Sequence, residues 1–313
     1  MATIRHALVL AAGLGTRLRP LTFVRAKAAM PIAGEPLIRR FSRWLVGWGV
    51  SDLVVNLHHL PETITAVLGD GSDLGASIRY SWEQPLVLGT AGGPRRALSI
   101  LGADTFFIAN GDTLTDVNLD ALAAAHAASG ALVTLAVIAN PDPMWYGGVA
   151  VDGDSRVTGF VPRGPRATGS FHFVGVQVAS AEAFADLPDN QAANSIGGVY
   201  DRLIASQPGS VRAFVSDASF RDIGTVGDYV ETSRAIAWQD ASAGRRSGAT
   251  LEPSAADNAI VWDNVEIGAG ARLENCIVTD GVRVPSRACY RHVVLLRGAH
   301  EEVVAIPWTN ERG

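Results

Sequence analysis

Cysteine is scarce: Cys276 and Cys289 are the only two in 313 residues. Two thiols cannot build the disulfide framework of a small secreted scaffold, so the expected setting is reducing and cytoplasmic. Charge is also sparse, 18% of residues against 48% apolar, the reverse of the balance that keeps a chain disordered. The net charge of −5 argues against a surface built throughout to grip nucleic acid. The seven tryptophans are scattered and form no base-stacking platform. No apolar run nears the roughly 18 residues of a membrane helix. The opening MATIRHALVLAAGLG imitates a secretory leader, but it runs into Thr16-Arg17-Leu18-Arg19 with no cleavage pattern. The expectation is therefore a protein with neither nucleic-acid nor membrane partners.

Lysine is scarcest of all. Lys27 stands alone against 25 arginines. Drift toward arginine codons replaces lysine wherever any surface cation will do, so a lone survivor points to a place that needs a compact ammonium, with chance survival as the alternative.

What the chain does have is alternation. His6 to Ala12 reads as a buried strand ending in glycines, and Leu53 to Leu57 as the next strand. Between them Leu37, Ile38, Phe41, Trp44, Leu45 and Trp48 recur at helical spacing. Helices near 61–68, 90–101 and 119–129 alternate with strands near 77–81, 105–109 and 131–138. This predicts an α/β fold, a Rossmann-like mixed but mainly parallel sheet with helices on both faces. Residues 146–178 turn strand-rich, and a helix over 196–206, a strand over 211–216 and a helix over 226–238 follow. The expected division is a domain over 1–240, a linker over 241–258 rich in small residues, and a short segment with its tail over 259–313. In that last part Val261, Ile267 and Leu273 form one six-residue register and Val265, Ala271 and Ile277 another. Such hexapeptide rhythm builds β-helix coils, and an ordinary hairpin is the alternative. Cys276 and Cys289 fall here and read as small buried apolar residues.

The glycine loop Gly13-Leu14-Gly15-Thr16-Arg17-Leu18 follows the first strand. Leu18 occupies the third glycine position of a dinucleotide fingerprint, and no Walker A pattern is present. What remains is a turn open to phosphate, with Arg17, Arg19, Arg25 and Lys27 as a cluster of cations. Asp112, in Asn110-Gly111-Asp112, lies at the carboxyl end of a strand. A carboxylate there tolerates triphosphate only with a hard cation between them, and Mg²⁺ held by one or two carboxylates plus phosphates meets that need. His58 and His59 lack a zinc-ligand spacing and read as decoration of a strand end.

The stretch LAAGLGTRLRPLTFVRAKAAMPIAGEPLI resembles the signature of the sugar-1-phosphate nucleotidylyltransferases, with Pro20-Leu21-Thr22, Lys27, Pro31, Gly34 and Pro36 on the pattern. Ala26 replaces the family's proline before the lysine. The match extends to about residue 235. It implies the nucleotide-diphospho-sugar transferase fold with a short left-handed β-helix-like C-terminal segment. Nucleotide contacts are then expected from Ala11, Gly13, Gly15, Thr16, Arg17, Gln84, Gly89 and Thr90, with Gln84 and Gly89 at the spacing used for base recognition. Arg17, Lys27 and Asp112 would be catalytic. Metal would be held by Asp112 and by Asp222 of Asp222-Ile223-Gly224-Thr225, the alternative for Asp222 being a cap on the following helix. Sugar-phosphate contacts would come from Lys27, Gly147, Arg163 and Gly175. Arg163 stands where the family's Glu-Lys-Pro motif has its lysine, and no carboxylate takes the glutamate's place.

The implied reaction is in-line attack of a sugar 1-phosphate on the α-phosphorus of an NTP, assisted by Mg²⁺, giving NDP-sugar and pyrophosphate. Leu88-Gly89-Thr90-Ala91-Gly92 with the short tail looks most like the mannose-1-phosphate guanylyltransferases. Thymidylyl-, uridylyl- and heptose-specific guanylyl relatives stay open, as does a catalytically weak regulatory subunit that binds nucleotide-sugar. Hexapeptide tails in such families mediate subunit contacts, so a homo-oligomer is also implied.

Overall fold

The computed structural model describes residues 4–242 and 256–309. In chain order the first elements are β1 (His6–Leu10), β2 (Pro31–Ile32), β3 (Glu35–Pro36), α1 (Leu37–Gly47), β4 (Asp52–Leu57), α2 (Pro61–Leu68), β5 (Ser77–Trp82), α3 (Gly89–Leu101), β6 (Thr105–Asn110) and β7 (Thr113–Thr115). Then come α4 (Leu119–Ser129), β8 (Val133–Ala139), β9 (Gly148–Val151), β10 (Val157–Val161), β11 (Phe171–Ser180), α5 (Glu182–Ala185), α6 (Tyr200–Ser206), β12 (Val211–Val215), β13 (Phe220–Asp222) and α7 (Val226–Ser242). Two compact units emerge: the chain up to Gly13 with Phe41–Arg221, and Leu14–Arg40 with the chain from Asp222 onward. These units cut across the expected division at 240, because residues 14–40 pack with the C-terminal part. Of the expected linker, Ala241 and Ser242 continue α7, while residues 243–255 lie outside the described residues. So do residues 310–313 of the tail.

The first unit is built on a nine-stranded sheet in the order β10-β9-β11-β6-β1-β4-β5, with β8 joining β11 to β12. β6, β1, β4 and β5 run parallel, as do β8 and β12, while β11 is antiparallel to β6, β8 and β9. Side chains alternate across a strand. Leu8, Val54, Phe106, Ile108 and Leu135 share one buried cluster with Ala91, Ala97 and Leu101 of α3 and Tyr200 of α6. Their neighbours Ala7, Val9, Phe107 and Ala109 point the other way and are equally buried, so both faces are covered. Each large aliphatic or aromatic side chain removed from water contributes roughly 1.5–3 kcal/mol. The expected helix over 196–206 is regular only from Tyr200, since Ile196 is extended and Gly197 has φ of 76°. On α4, His126 is buried with Nδ1 2.9 Å from the Thr134 hydroxyl, and burial lowers its pKa.

In the second unit the C-terminal strands coil. Ala256 pairs in parallel with Leu273 and Leu273 with Tyr290, Ile260 with Ile277 and Ile277 with Val294, and Glu266 with Arg283. Every partner is seventeen residues away. This is a β-helix-like segment, closed by an antiparallel pairing of Val293–Arg297 with Val303–Pro307. Its corners recur at the same interval as left-handed residues: Asn258, Asn275 and His292; Asn264 and Gly281; Gly270 and Arg287. Asparagine and glycine tolerate that conformation best.

A period of seventeen makes one side of each coil five residues long. The interior register of Val265 and Ala271 therefore continues to Cys276, not to Ile277, which is buried outside that cluster. Cys276 is the small buried residue expected, whereas Cys289 is exposed because its position on the coil points outward. Among the described residues no helix is long and apolar enough to cross a membrane.

Candidate active site

In the first unit a cavity of about 280 Å³ opens at the carboxyl ends of four parallel strands. This is where open α/β sheets place ligands. β1 delivers Leu10 and then Ala12 and Gly13; β4 delivers Asn56; the turn after β5 delivers Glu83 and Val87; β6 delivers Asn110 and then Asp112; the start of α3 delivers Gly89 and Thr90. Gly13, Gly89, Thr90 and Asp112 are thus brought together. Gln84 is not: it is exposed at the head of its turn, beside the cavity-lining Glu83.

Two residues without a motif organise this end of the sheet. Asn56 Oδ1 accepts the Ala11 amide at 2.6 Å and the Ala12 amide at 3.3 Å, while its Nδ2 donates to Glu83 Oε1 at 2.7 Å. Glu83 is wholly buried, and its Oε2 accepts the Leu88 amide at 2.7 Å. One buried chain thus ties the β1 loop to the turn that opens α3. Ala11 spends its amide on Asn56, so that group is not aimed at a ligand. The signal in the sequence was an asparagine inside LVVNL, a polar residue in a run otherwise fit for burial. Gly93 must be glycine, since a Cβ there would lie 2.6 Å from Glu83 Oε1 and 2.9 Å from Asn56 Nδ2. Replacing Glu83 with Ala orphans two buried donors and is expected to cost about 2–4 kcal/mol of stability, Glu83→Gln about half of that. Urea unfolding of the two variants checks the order.

Gly89 has φ of 76°, and a Cβ there would lie 2.8 Å from the Ala193 carbonyl. That carbonyl accepts the Ala91 and Gly92 amides, and the Thr90 hydroxyl accepts from the Ser195 amide and hydroxyl. The glycine is therefore required by the chain's own 193–195 segment, a reason the LGTAG stretch alone did not disclose.

Gly175 sits in β11, with φ of 80°, where the register with β8 shifts between Phe173 and Gln177. A Cβ there would lie 2.9 Å from Asn110 Nδ2 and 3.0 Å from the Thr113 hydroxyl, so Gly175 borders cavity-lining Asn110. Gly147 directs its carbonyl toward His172 Nδ1 at 3.5 Å. His172 packs tilted against Tyr146 (4.4 Å between centroids) and edge-on against Phe220 (4.7 Å), an aromatic group not foreseen from sequence. Arg163 is exposed, with its guanidinium 5.8 Å from the Trp145 ring centre.

Burial holds the His172 pKa below the ordinary histidine value, as it does for His126. The unfolded chain therefore takes up protons below about pH 6.5 that the folded chain refuses until a lower pH. Stability is expected to be level above that pH and to fall as the solution is acidified through it. Urea midpoints across the window check this, and a His126→Leu, His172→Phe double variant should flatten the slope.

In the second unit Gly15 has φ of 58°, and its carbonyl accepts the Thr22 hydroxyl at 3.0 Å. A Cβ there would press on the Thr22 methyl at 2.7 Å and lie 3.4 Å from Lys27 Cβ. Thr16 and Arg17 are exposed. Lys27 is largely buried, with Nζ 3.7 Å from Asp222 Oδ1. Gly224 leaves room for three charged groups: its absent Cβ would meet Asp222 Oδ2 at 3.1 Å, Arg17 Nη1 at 3.2 Å and Asp228 Oδ2 at 3.4 Å. The cap of α7 is made by Thr225 and Asp228, which exchange backbone and side-chain bonds at 2.8–3.1 Å. Asp222 is thereby relieved of the capping role. Arg25 does not join the cationic cluster, since its guanidinium is bonded to Asp263 and Asp280. Among the described residues no group of three or more His, Cys, Asp or Glu side chains could hold a metal unaided.

Residues 6–239 match the Nucleotidyl transferase family. The mannose-1-phosphate guanylyltransferase of Mycobacterium tuberculosis is 32% identical over 290 residues, which cover 89% of this chain and 80% of that protein. The UTP–glucose-1-phosphate uridylyltransferase of Synechocystis is 29% identical over 301 residues, 89% of this chain and 76% of that one. HddC from Yersinia pseudotuberculosis shares the fold, with a TM-score of 0.64 over 74% of this chain and 100% of its own, at 23% identity. The chain belongs to the nucleotidyl transferase family. Nucleotidyl transfer to a sugar 1-phosphate is the class of activity that its relatives carry by name, and this chain is an enzyme of that class.

Proposed function

We propose that the protein transfers GMP from GTP to mannose 1-phosphate, releasing pyrophosphate. The observation that carries the reading is the convergence of Gly13, Gly89, Thr90 and Asp112 on one cavity at the carboxyl ends of parallel strands. GTP and mannose 1-phosphate are favoured by the mycobacterial relative, which is similar across most of this chain. A uridylyl relative of almost equal similarity makes UTP with glucose 1-phosphate the competing pair. Residues 1–240 would carry the chemistry.

Both reactants are anions, so the barrier lies in bringing them together and in charge building on the departing pyrophosphate. Positioning and fixed charge therefore supply the catalysis, with no covalent intermediate. In this reading the Gly13 turn and the start of α3 receive the nucleotide. Arg17 stabilises the β- and γ-phosphates, and Lys27 or Arg163 holds the phosphate of the sugar. Asp112 presents hard carboxylate oxygens to that cavity, the donor type Mg²⁺ takes when substrate phosphates and water complete its shell. Bound there, Mg²⁺ would supply charge neutralisation on the phosphoryl oxygens. A sugar 1-phosphate is already a nucleophilic anion at neutral pH, so no histidine base is needed.

Pyrophosphate release by the purified protein, over a panel of NTPs and sugar 1-phosphates, tests this. The expected result is turnover highest with GTP and mannose 1-phosphate. Preference for another pair would change the substrate, and nucleotide-sugar binding without turnover would favour the regulatory subunit.

A further inference from the structure

The residues flanking Lys27 are gripped from both ends by the C-terminal part of the chain. On one side, Arg25 Nε and Nη2 donate side-on to Asp280 Oδ2 at 2.6 Å and Oδ1 at 2.7 Å, and Nη2 also donates to Asp263 Oδ2 at 2.6 Å. Asp263 and Asp280 are seventeen residues apart, the same position on successive coils, so one guanidinium clips two coils to residue 25. Its flat face lies over the Trp262 ring at 5.4 Å. Bidentate, largely buried pairing of this kind is directional and resists replacement by lysine.

On the other side, buried Trp262 donates from Nε1 to the Tyr229 hydroxyl at 2.8 Å, and that hydroxyl donates to the Pro31 carbonyl at 2.7 Å. Burial pushes the Tyr229 pKa up, so the donating proton is kept. The Ala33 amide is held by Ser233 Oγ of α7 at 3.1 Å. Between the grips Ala26, Ala29 and Met30 are fully buried, and the one side chain left to point a charge is Lys27, 3.7 Å from Asp222. Arg25 itself has two carboxylates as partners and no charge to spare for a substrate.

We infer that Arg25, through Trp262 and Tyr229, is a positioning residue for the transfer reaction, and that the β-helix-like segment sets the placement of the Lys27 ammonium. The kinetic side of this rests on the function proposed above. The structural side does not.

Lys27 is the only lysine in the chain, so side-chain amine labelling reports on it alone. Reductive methylation of the full-length protein, read by peptide mass, is expected to modify Lys27 about five- to tenfold faster in Arg25→Gln than in wild type, since a locally loosened segment opens more often. Asp263→Ala, which removes one of the three bonds, should give a smaller increase at unchanged melting temperature. In kinetics, Arg25→Gln is expected to lose about tenfold or more in kcat/KM. That loss should shrink to near nothing in a Lys27→Met background, because residues acting as one unit are non-additive. Unchanged labelling in both variants, or the same fold-loss with and without Lys27, overturns the inference. Absence of turnover in wild type would sink the proposed activity, and the labelling result would still decide the positioning role.

Discussion

Asp112→Ala is expected to lower turnover by roughly 10²–10⁴ at saturating Mg²⁺ with little change in melting temperature. Asp112 follows β6 and lines the cavity with a half-buried carboxylate. Its neighbour Gly111 is packed against β1, where a Cβ would lie 3.0 Å from Val9 Cγ1. The backbone that aims Asp112 is therefore fixed by the sheet, and truncating the side chain should remove charge and ligand atoms without disturbing the strand. In the proposed reaction the cation must offset repulsion between two anions, and a lost carboxylate weakens that offset in the transition state. Asp112→Asn should fall between Ala and wild type, because an amide oxygen is a weaker ligand. Near-normal kcat for Asp112→Ala at saturating Mg²⁺ would remove the residue from the metal site.

Lys27→Arg is expected to cost about 10²-fold in kcat/KM while preserving the charge. In a chain with 25 arginines this is the least alien of substitutions by composition. The surroundings argue otherwise. Lys27 is 13% exposed, its Cβ lies close under Gly15, and its ammonium faces Asp222 at 3.7 Å. A planar guanidinium is wider and carries its donors in a fixed fork, so it cannot occupy the point an ammonium takes without shifting the loop. Lys27→Met should be worse still, since charge is lost as well. Steady-state kinetics with both substrates varied will check the pair, and an Arg variant with wild-type kcat/KM would make the lone lysine a relic of codon drift.

Much of the architecture was legible because its causes are local. Apolar runs at 6–12 and 53–57 and the helical spacing of Leu37, Ile38, Phe41 and Leu45 each bury one face, and strand–helix alternation leaves few topologies. Gly13, Gly89 and Asp112 were legible for a related reason, since residues just past parallel strands share one rim of the sheet. Asn56 and Glu83 were not. Their partners lie 45, 27 and 5 residues away, and nothing in the spacing tells a surface glutamate from a buried one. The six-residue rhythm was visible, but its five-residue side was not, because the corner residues Asn258, Asn275 and His292 are set by stacking of coils. That is why Cys289 read as buried and is exposed.

The lone lysine shows the same divide. Its scarcity is a property of the sequence alone and marked residue 27 without any neighbour in view. What surrounds it came only with folding: Asp222 brought within reach, Asp228 taking over the helix cap, and Arg25 drawn away to two aspartates more than two hundred residues further on. Periodicity and composition determine which faces must leave water, since burial is indifferent to the identity of its partner. Hydrogen bonds and ion pairs are directional, so the tertiary structure had to decide which groups meet.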